Sequence, residues 1–475
     1  MNVSVVWFRD DLRVADNPAL LAAAADGGAV ALYVLDEVSD GIRPLGGAAK
    51  WWLHHALKDL RSELNALGIP LLLRRGPGIK VTQELLTSLG ATSIYWNRRY
   101  GGPERAVDGA LKEWAQETGL HAESFQASLL HEPWTVTTGA GNPYQVFTPF
   151  WRTVSAHDFR APLGKPDAGR GLTGEFSPET SLMTEELESW ALLPTSPDWA
   201  GGLRDTWRPT AAAAQELLTD FLQGPVGDYS DARDRPDQHG TSRLSPYLRW
   251  GQISPFQVWA ALAETRSGGT ATAGGVGAGS PGPSVFASEL GWREFCWHQL
   301  FHHPDLATVN LRSQFDTFPW RSAEDDELAP EQLSAWQHGR TGIPLVDAGQ
   351  RELWHTGTMH NRVRMVAASF LIKNLGFDWR LGEQWFWDTL VDADAASNPA
   401  NWQWVAGSGA DAAPYFRIFN PVTQAKKFDP VGRYVTAWVP ELATEQYPEP
   451  LVDLQQSRRN ALADYASIKT VSAEV

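Results

Sequence analysis

An α/β N-terminal domain on a parallel, Rossmann-like sheet, a long linker and an all-α C-terminal domain make up the fold class that the sequence predicts. Through residue 130, short apolar runs alternate with helix-like stretches, the order that yields a parallel sheet covered on both faces. From 131 to 209, glycine and proline punctuate the chain repeatedly, which reads as an interdomain connection. From 210 to 475 the periodic stretches have helical spacing and few β-branched runs occur. The expected domains are therefore 1–130, 131–209 and 210–475.

Taken in order, residues 3–8 (Val-Ser-Val-Val-Trp-Phe) read as a buried strand. Asp16-Asn17-Pro18 supplies a cap and a first-turn proline for a helix through Ala25. Strands follow at 29–35, 70–74, 93–96 and 121–125, with helices at 48–67, 81–89 and 103–118 between them. After the first strand, where G-x-G-x-x-G would bind a nicotinamide dinucleotide, stands Arg9-Asp10-Asp11-Leu12-Arg13; that fingerprint is absent. Residues 267–283 are Gly, Ala, Ser, Thr and Pro with one Val, expected to be a mobile loop without function. Helices are expected at 211–222, 255–265, 286–301, 360–375 and 382–391.

Composition narrows the function. A net charge of −16 argues against indiscriminate nucleic-acid binding, yet residues 340–433 hold ten Lys/Arg against nine Asp/Glu, leaving room for a local basic face. The lone Cys296 excludes an intrachain disulfide framework and any all-cysteine metal or iron–sulfur site. No basic n-region leads an apolar N-terminal run and no 18-residue apolar span occurs, so a soluble, cytoplasmic chain without metal or membrane partner is expected. Of 23 tryptophans, thirteen fall between Trp250 and Trp438, an excess that suits a large aromatic ligand, base stacking, electron hopping or simply dense packing.

Four segments concentrate the chemistry. In 240–250, Thr241, Ser242, Arg243, Leu244 and Ser245 set hydroxyls and backbone amides ahead of a helix, an arrangement suited to an anion, or merely to an N-cap. In 289–296, helical spacing puts Glu289, Trp292, Arg293 and Cys296 on one face; an i,i+4 Glu–Arg surface pair is the bland alternative. In 360–365, Asn361 and Arg364 or Met365 can face one site, as in a helical bundle that builds a ligand pocket. Residues 392–421 mix Asp392, Asp394, Asn398, Trp402 and Trp404 with helix-breaking Pro399, Gly407 and Gly409. They read as the wall of a pocket for something flat and polar-edged, or as a packed aromatic loop.

Together with Trp7-Phe8-Arg9-Asp10-Asp11-Leu12-Arg13 and Thr341-Gly342-Ile343-Pro344-Leu345-Val346-Asp347-Ala348, these segments resemble the photolyase/cryptochrome flavoproteins over nearly the whole chain, closest to class I cyclobutane-pyrimidine-dimer photolyases. The resemblance implies a U-shaped FAD in the helical domain. Tyr229 and residues 241–245 would hold its phosphates, Asp392 and Asp394 its ribose and ring, with Asn398 near N5, Arg364 close to the ring and Arg362 shaping the site. Phe286 and Arg293 join the cofactor set, Phe286 standing where many relatives have tryptophan.

The implied activity is that of a light-driven carbon–carbon lyase: reduced, anionic FAD absorbs blue light and passes an electron to a flipped-out pyrimidine dimer in DNA. Trp292 and Trp404 match the walls of the dimer pocket, and Asn361 and Met365 its floor. Glu289 matches the carboxyl that hydrogen-bonds the dimer. Glu289, Asn361 and Asn398 form the implied catalytic set, while Trp402, Trp379 and Trp320 match the hopping chain that reduces the flavin. A folate or deazaflavin antenna is implied in the α/β domain, where Glu104 and residues 50–54 are candidates to line it.

Departures from the family wording are Thr358 in place of a tryptophan, Ala395, Ser397 and Pro399, and a longer stretch between Trp320 and Trp336. A photoreceptor without repair is the runner-up, against which stand the matching dimer-pocket residues and the expected lack of a signalling tail. A (6-4) photolyase is third, since His360-Asn361 stands where its common form has two histidines. The implied partner is dimer-containing DNA, and the chain is expected to act as a monomer.

Overall fold

The computed structural model describes residues 2–171, 184–266, 281–322, 326–412 and 416–471. Of the loop expected at 267–283, residues 267–280 lie outside that description. Five parallel strands, β1 (Val3–Phe8), β2 (Gly28–Leu35), β3 (Leu71–Arg75), β4 (Ser93–Asn97) and β5 (His121–Phe125), run in the order β3-β2-β1-β4-β5. Central β1 pairs with β2 from Val3↔Gly28 to Phe8↔Tyr33 and with β4 from Ser4↔Ser93 to Trp7↔Trp96. The strand order reverses at β1, so the crevice beyond its carboxyl end is the natural docking point of this architecture. Helices α1 (Pro18–Asp26), α2 (Gly47–Ala66), α3 (Gly78–Leu89) and α4 (Gly102–Thr118) connect the strands. The Asn17 side chain accepts from Leu20 N, as its cap position requires.

The arginine–aspartate run after β1 is structural glue. Arg9 forms a buried pair with Asp108 at 3.0 Å, and Asp11 accepts from Asn97 Nδ2 at 2.6 Å. Arg13 donates to the Gly251 carbonyl at 2.9 Å, Asp10 pairs with Arg249 at 2.6 Å, and Leu12 N donates to the Trp250 carbonyl at 3.0 Å. These bonds sew the end of the sheet to the helical half. The candidate antenna segment is likewise mostly packed: Trp51, Trp52 and Leu53 are buried and Trp52 Nε1 is spent on Gln252, while Lys50 pairs with Glu37. Glu104 is half-buried in the first turn of α4.

Downstream, α5 (Phe147–Val154) lies inside the stretch expected to be plain linker. It is followed by α6 (Ala211–Gln223), α7 (Ser245–Arg249), α8 (Gly282–His302), α9 (Pro344–Thr356), α10 (Asn361–Ser369), α11 (Trp379–Thr389) and α12 (Ser397–Ala406). The helix expected at 360–375 divides, because a π-helical turn, Phe370–Asn374, follows α10. The one expected at 382–391 starts earlier, at Trp379, where the Asp378 side chain caps it by accepting from Arg380 N. Gly382 is needed inside it: a Cβ there would lie 2.1 Å from the Trp402 ring.

α5 reaches α8 across a buried histidine cluster. His298, fully buried, accepts from Tyr144 N at 3.1 Å and sits 5.2 Å from the Phe150 ring. Burial, reinforced by His302 and His131, pushes its pKa down to about 3. The unfolded chain takes that proton near pH 6.5, so the stability this neutral histidine contributes is present above 6.5 and lost as pH falls toward 3. The expected slope is about 1.4 kcal/mol per pH unit. Urea unfolding against pH checks it: His298→Gln, which keeps an acceptor for Tyr144 N, should flatten this acid limb.

Candidate functional site

A cavity of about 870 Å³ opens between α7, α8, α10, α12 and the loop before α12. Of the residues that the resemblance assigns to the flavin, the dimer and the hopping chain, only Trp320 and Trp379 do not line it. Tyr229, Thr241, Ser242, Arg243, Leu244, Ser245, Phe286 and Arg293 are on its wall. So are Arg362, Arg364, Asp392, Asp394 and Asn398, and the group expected to face a dimer, Glu289, Trp292, Asn361, Met365 and Trp404. α8 supplies Phe286, Glu289, Trp292 and Arg293 at helical spacing. Thr358 also lines the cavity.

The loop before α12 is held by its carboxylates. Asp392 Oδ2 accepts from Ser245 Oγ at 2.6 Å and from Arg364 Nη2 at 3.0 Å. Its other oxygen, Oδ1, is buried without a hydrogen-bond partner, as are His360 Nε2 and Arg362 Nε. Unpaired buried polar atoms are costly unless something completes them, and all three residues line the cavity. A volume of this size falls in the range of ligand sites. Asp394 instead caps α12, its Oδ1 accepting from the amides of Ala396 and Ser397 at 2.8 and 2.5 Å.

The 241–245 stretch is less free than spacing suggests. Ser242 Oγ accepts from Leu244 N at 3.4 Å, and the Ser245 hydroxyl proton is committed to Asp392. Arg243, at φ +54°, lays its guanidinium 4.4 Å over the Trp207 ring and donates to the Thr206 carbonyl.

Glu289 does not pair with Arg293, as the i,i+4 spacing allows. Its carboxylate accepts from Arg233 Nη1, whereas Arg293 donates to the Ser128 carbonyl at 2.9 Å and pairs with Glu294. Burial raises the Glu289 pKa against the opposing pull of Arg233. The opposite direction holds for His360, pushed down to about 4 by burial; its Nδ1 accepts from Arg362 N, so the ring is neutral. Trp292 stacks on Phe147 at 3.8 Å and 10°, and Arg417 lies 5.3 Å over Trp404.

Trp402, 2% exposed, lines the cavity on one side and packs on the other within an apolar cluster that contains the fully buried Trp379 and has half-buried Trp320 at its rim. Trp379 Nε1 donates to Asn310 Oδ1 at 2.9 Å, and Trp320 packs on Phe318 at 4.3 Å.

Sequence reasoning missed Arg233 and Phe147. Arg233 sits in Asp231-Ala232-Arg233-Asp234-Arg235, an alternating charge run just after Tyr229, which was the available signal. Phe147 lies in the supposed linker and carried none. Among the described residues, no group of three or more His, Cys, Asp or Glu is arranged to hold a metal, and no helix is long and apolar enough to cross a membrane.

Comparison with known proteins adds an independent line. Residues 4–167 match the family model described as DNA photolyase, and residues 286–445 the one described as FAD binding domain of DNA photolyase. A deoxyribodipyrimidine photo-lyase of Agrobacterium fabrum is 46% identical over 98% of this chain and 98% of its own. Cryptochrome-1 of Arabidopsis thaliana is 37% identical over 93% of this chain and 63% of its own. A solved structure titled a bacterial class III photolyase from Agrobacterium tumefaciens superposes with TM-score 0.90 at 44% identity, covering 99% of this chain and 98% of that one. A near relative is thus of class III, where the sequence had pointed to class I.

Proposed function

The chain belongs to the photolyase/cryptochrome family, and from that premise we propose that it repairs cyclobutane pyrimidine dimers in DNA under blue light. One observation carries the reading: the group suited to a flavin and the group suited to a dimer open onto the same cavity. FAD, working in its reduced, anionic form, supplies the light absorption and the electron. Asp392, through its unpaired Oδ1, with Arg364, Arg362, Asn398 and Tyr229 around it, would hold that cofactor.

The chain's own contribution is binding and electrostatics. Trp292, backed by Phe147, and Trp404 offer flat apolar walls to an extruded pyrimidine dimer. Asn361, exposed in the cavity, and Met365 complete the pocket floor. Glu289, whose pKa burial raises, can donate a hydrogen bond from its neutral form to a base carbonyl as negative charge develops there. Arg233 holds that carboxyl in place between turnovers. An antenna of folate or deazaflavin type belongs, in this reading, to the α/β part, with Glu104 as its available carboxylate.

The test is illumination of FAD-loaded, reduced protein with an oligonucleotide carrying a thymine cyclobutane dimer, followed by chromatography of the products. Dimer loss that requires light is expected. Bound FAD with no dimer loss would leave the photoreceptor reading, and loss of a (6-4) lesion from a second oligonucleotide carrying it would change the substrate.

A further inference from the structure

Residues 43–47 of the N-terminal part are docked on the far end of α11. Gly47 N donates to Asp388 Oδ1 at 2.7 Å, and Trp387 Nε1 donates to the Pro44 carbonyl at 2.9 Å. Gly46 is pressed so close that a Cβ would stand 2.2 Å from the Trp387 carbonyl oxygen. Arg43 completes the dock: its guanidinium lies 4.1 Å over the Trp387 ring and forks onto both oxygens of Glu383, at 2.7 and 2.9 Å.

Behind this fork lies Asn398. Glu383, 2% exposed, presents Oε1 and its backbone carbonyl to Asn398 Nδ2, at 2.8 and 3.0 Å. A carboxamide has two donor hydrogens on its nitrogen and acceptor capacity on its oxygen. Both hydrogens are spent on Glu383, so toward the cavity Asn398 can only accept. Turning the amide over would set its oxygen against a carbonyl and a carboxylate, two acceptors, so the network fixes the orientation. The fork keeps the carboxylate an acceptor and leaves it no room to swing away.

We propose that Arg43 is a positioning residue for the flavin site: through Glu383 it locks Asn398 as a hydrogen-bond acceptor and so raises the reduction potential of the bound flavin. This rests on the flavin reading of the cavity given above. Oxidised flavin presents N5 as an acceptor, which an amide oxygen repels, whereas reduced flavin presents N5–H, which it attracts. The α/β part thereby adjusts the chemistry of a cofactor held in the helical part.

Reductive titration of FAD-loaded protein, followed by flavin absorbance, reads the effect. Arg43→Gln should lower the ratio of reduced to oxidised flavin at a fixed potential by roughly tenfold, the scale of one hydrogen bond, or ~30 mV for a two-electron couple. Arg43→Lys keeps the charge without the fork and should give a smaller shift. In an Asn398→Ala background, Arg43→Gln should add nothing, since no amide remains to be positioned. An unmoved potential in Arg43→Gln, or an undiminished shift in the Asn398→Ala background, overturns the inference while leaving the flavin reading intact. Purified protein that takes up no FAD overturns both.

Discussion

Trp402→Phe strongly slows reduction of the bound flavin under blue light, while protein whose flavin has been chemically reduced beforehand repairs dimers at the parental yield. The reason is position. Trp402 is the one residue of the candidate hopping chain on the cavity wall, and Trp379 and Trp320 lie behind it in the same apolar cluster. Phenylalanine fills much of the space but is far harder to oxidise. Photoreduction should slow on the order of 100-fold, the rate equivalent of ~2.7 kcal/mol of added barrier. The missing ring leaves a gap against Gly382, where the indole now packs, at a cost of roughly 1–3 kcal/mol. FAD content and thermal midpoint must therefore be measured beside the photoreduction rate. Wild-type rates of photoreduction in a folded, FAD-loaded variant would mean that electrons enter elsewhere.

Glu289→Ala lowers repair yield roughly tenfold, about 1.4 kcal/mol of lost stabilisation, with flavin content unchanged. Its carboxyl lines the cavity beside Trp292, and among the described residues its hydrogen-bond partner is Arg233. Glu289→Gln, which still donates a hydrogen bond, should keep most of the yield. pH gives a second readout. Burial raises the Glu289 pKa, so the donating, neutral form persists to higher pH than for an ordinary glutamate and disappears as pH rises through the raised value. Repair should therefore decline with rising pH in the parent and change little in Glu289→Gln. If Glu289→Ala releases FAD while dimer binding is intact, the residue belongs to the cofactor set instead.

Much of the fold was legible because its determinants are local. Strand runs such as 29–35, the Asn17 cap and the glycines ending helices act over a few residues, and they place β2 and α1 where they are found. The limits of that reading are also local: the start of α11 depends on Asp378, a cap outside the stretch whose spacing drew attention. The site was legible in part. Motif wording identified residues that line one cavity, though periodicity alone left Glu289 with either Arg293 or a ligand.

By itself, then, the sequence determined the alternation that makes a parallel sheet, the helical character of the second half, and the residues whose chemistry suits a flavin and a base. Tertiary structure alone decided their partners. Arg233 and Glu289 are 56 residues apart, Arg43 and Glu383 340 apart. No local pattern encodes such pairs, because a hydrogen bond's direction and a carboxylate's remaining lone pairs exist only once the backbone has brought both ends together. Asn398 shows the difference most sharply: spacing names an amide that can donate or accept, and Glu383, held by Arg43 from the other end of the chain, leaves it only the second.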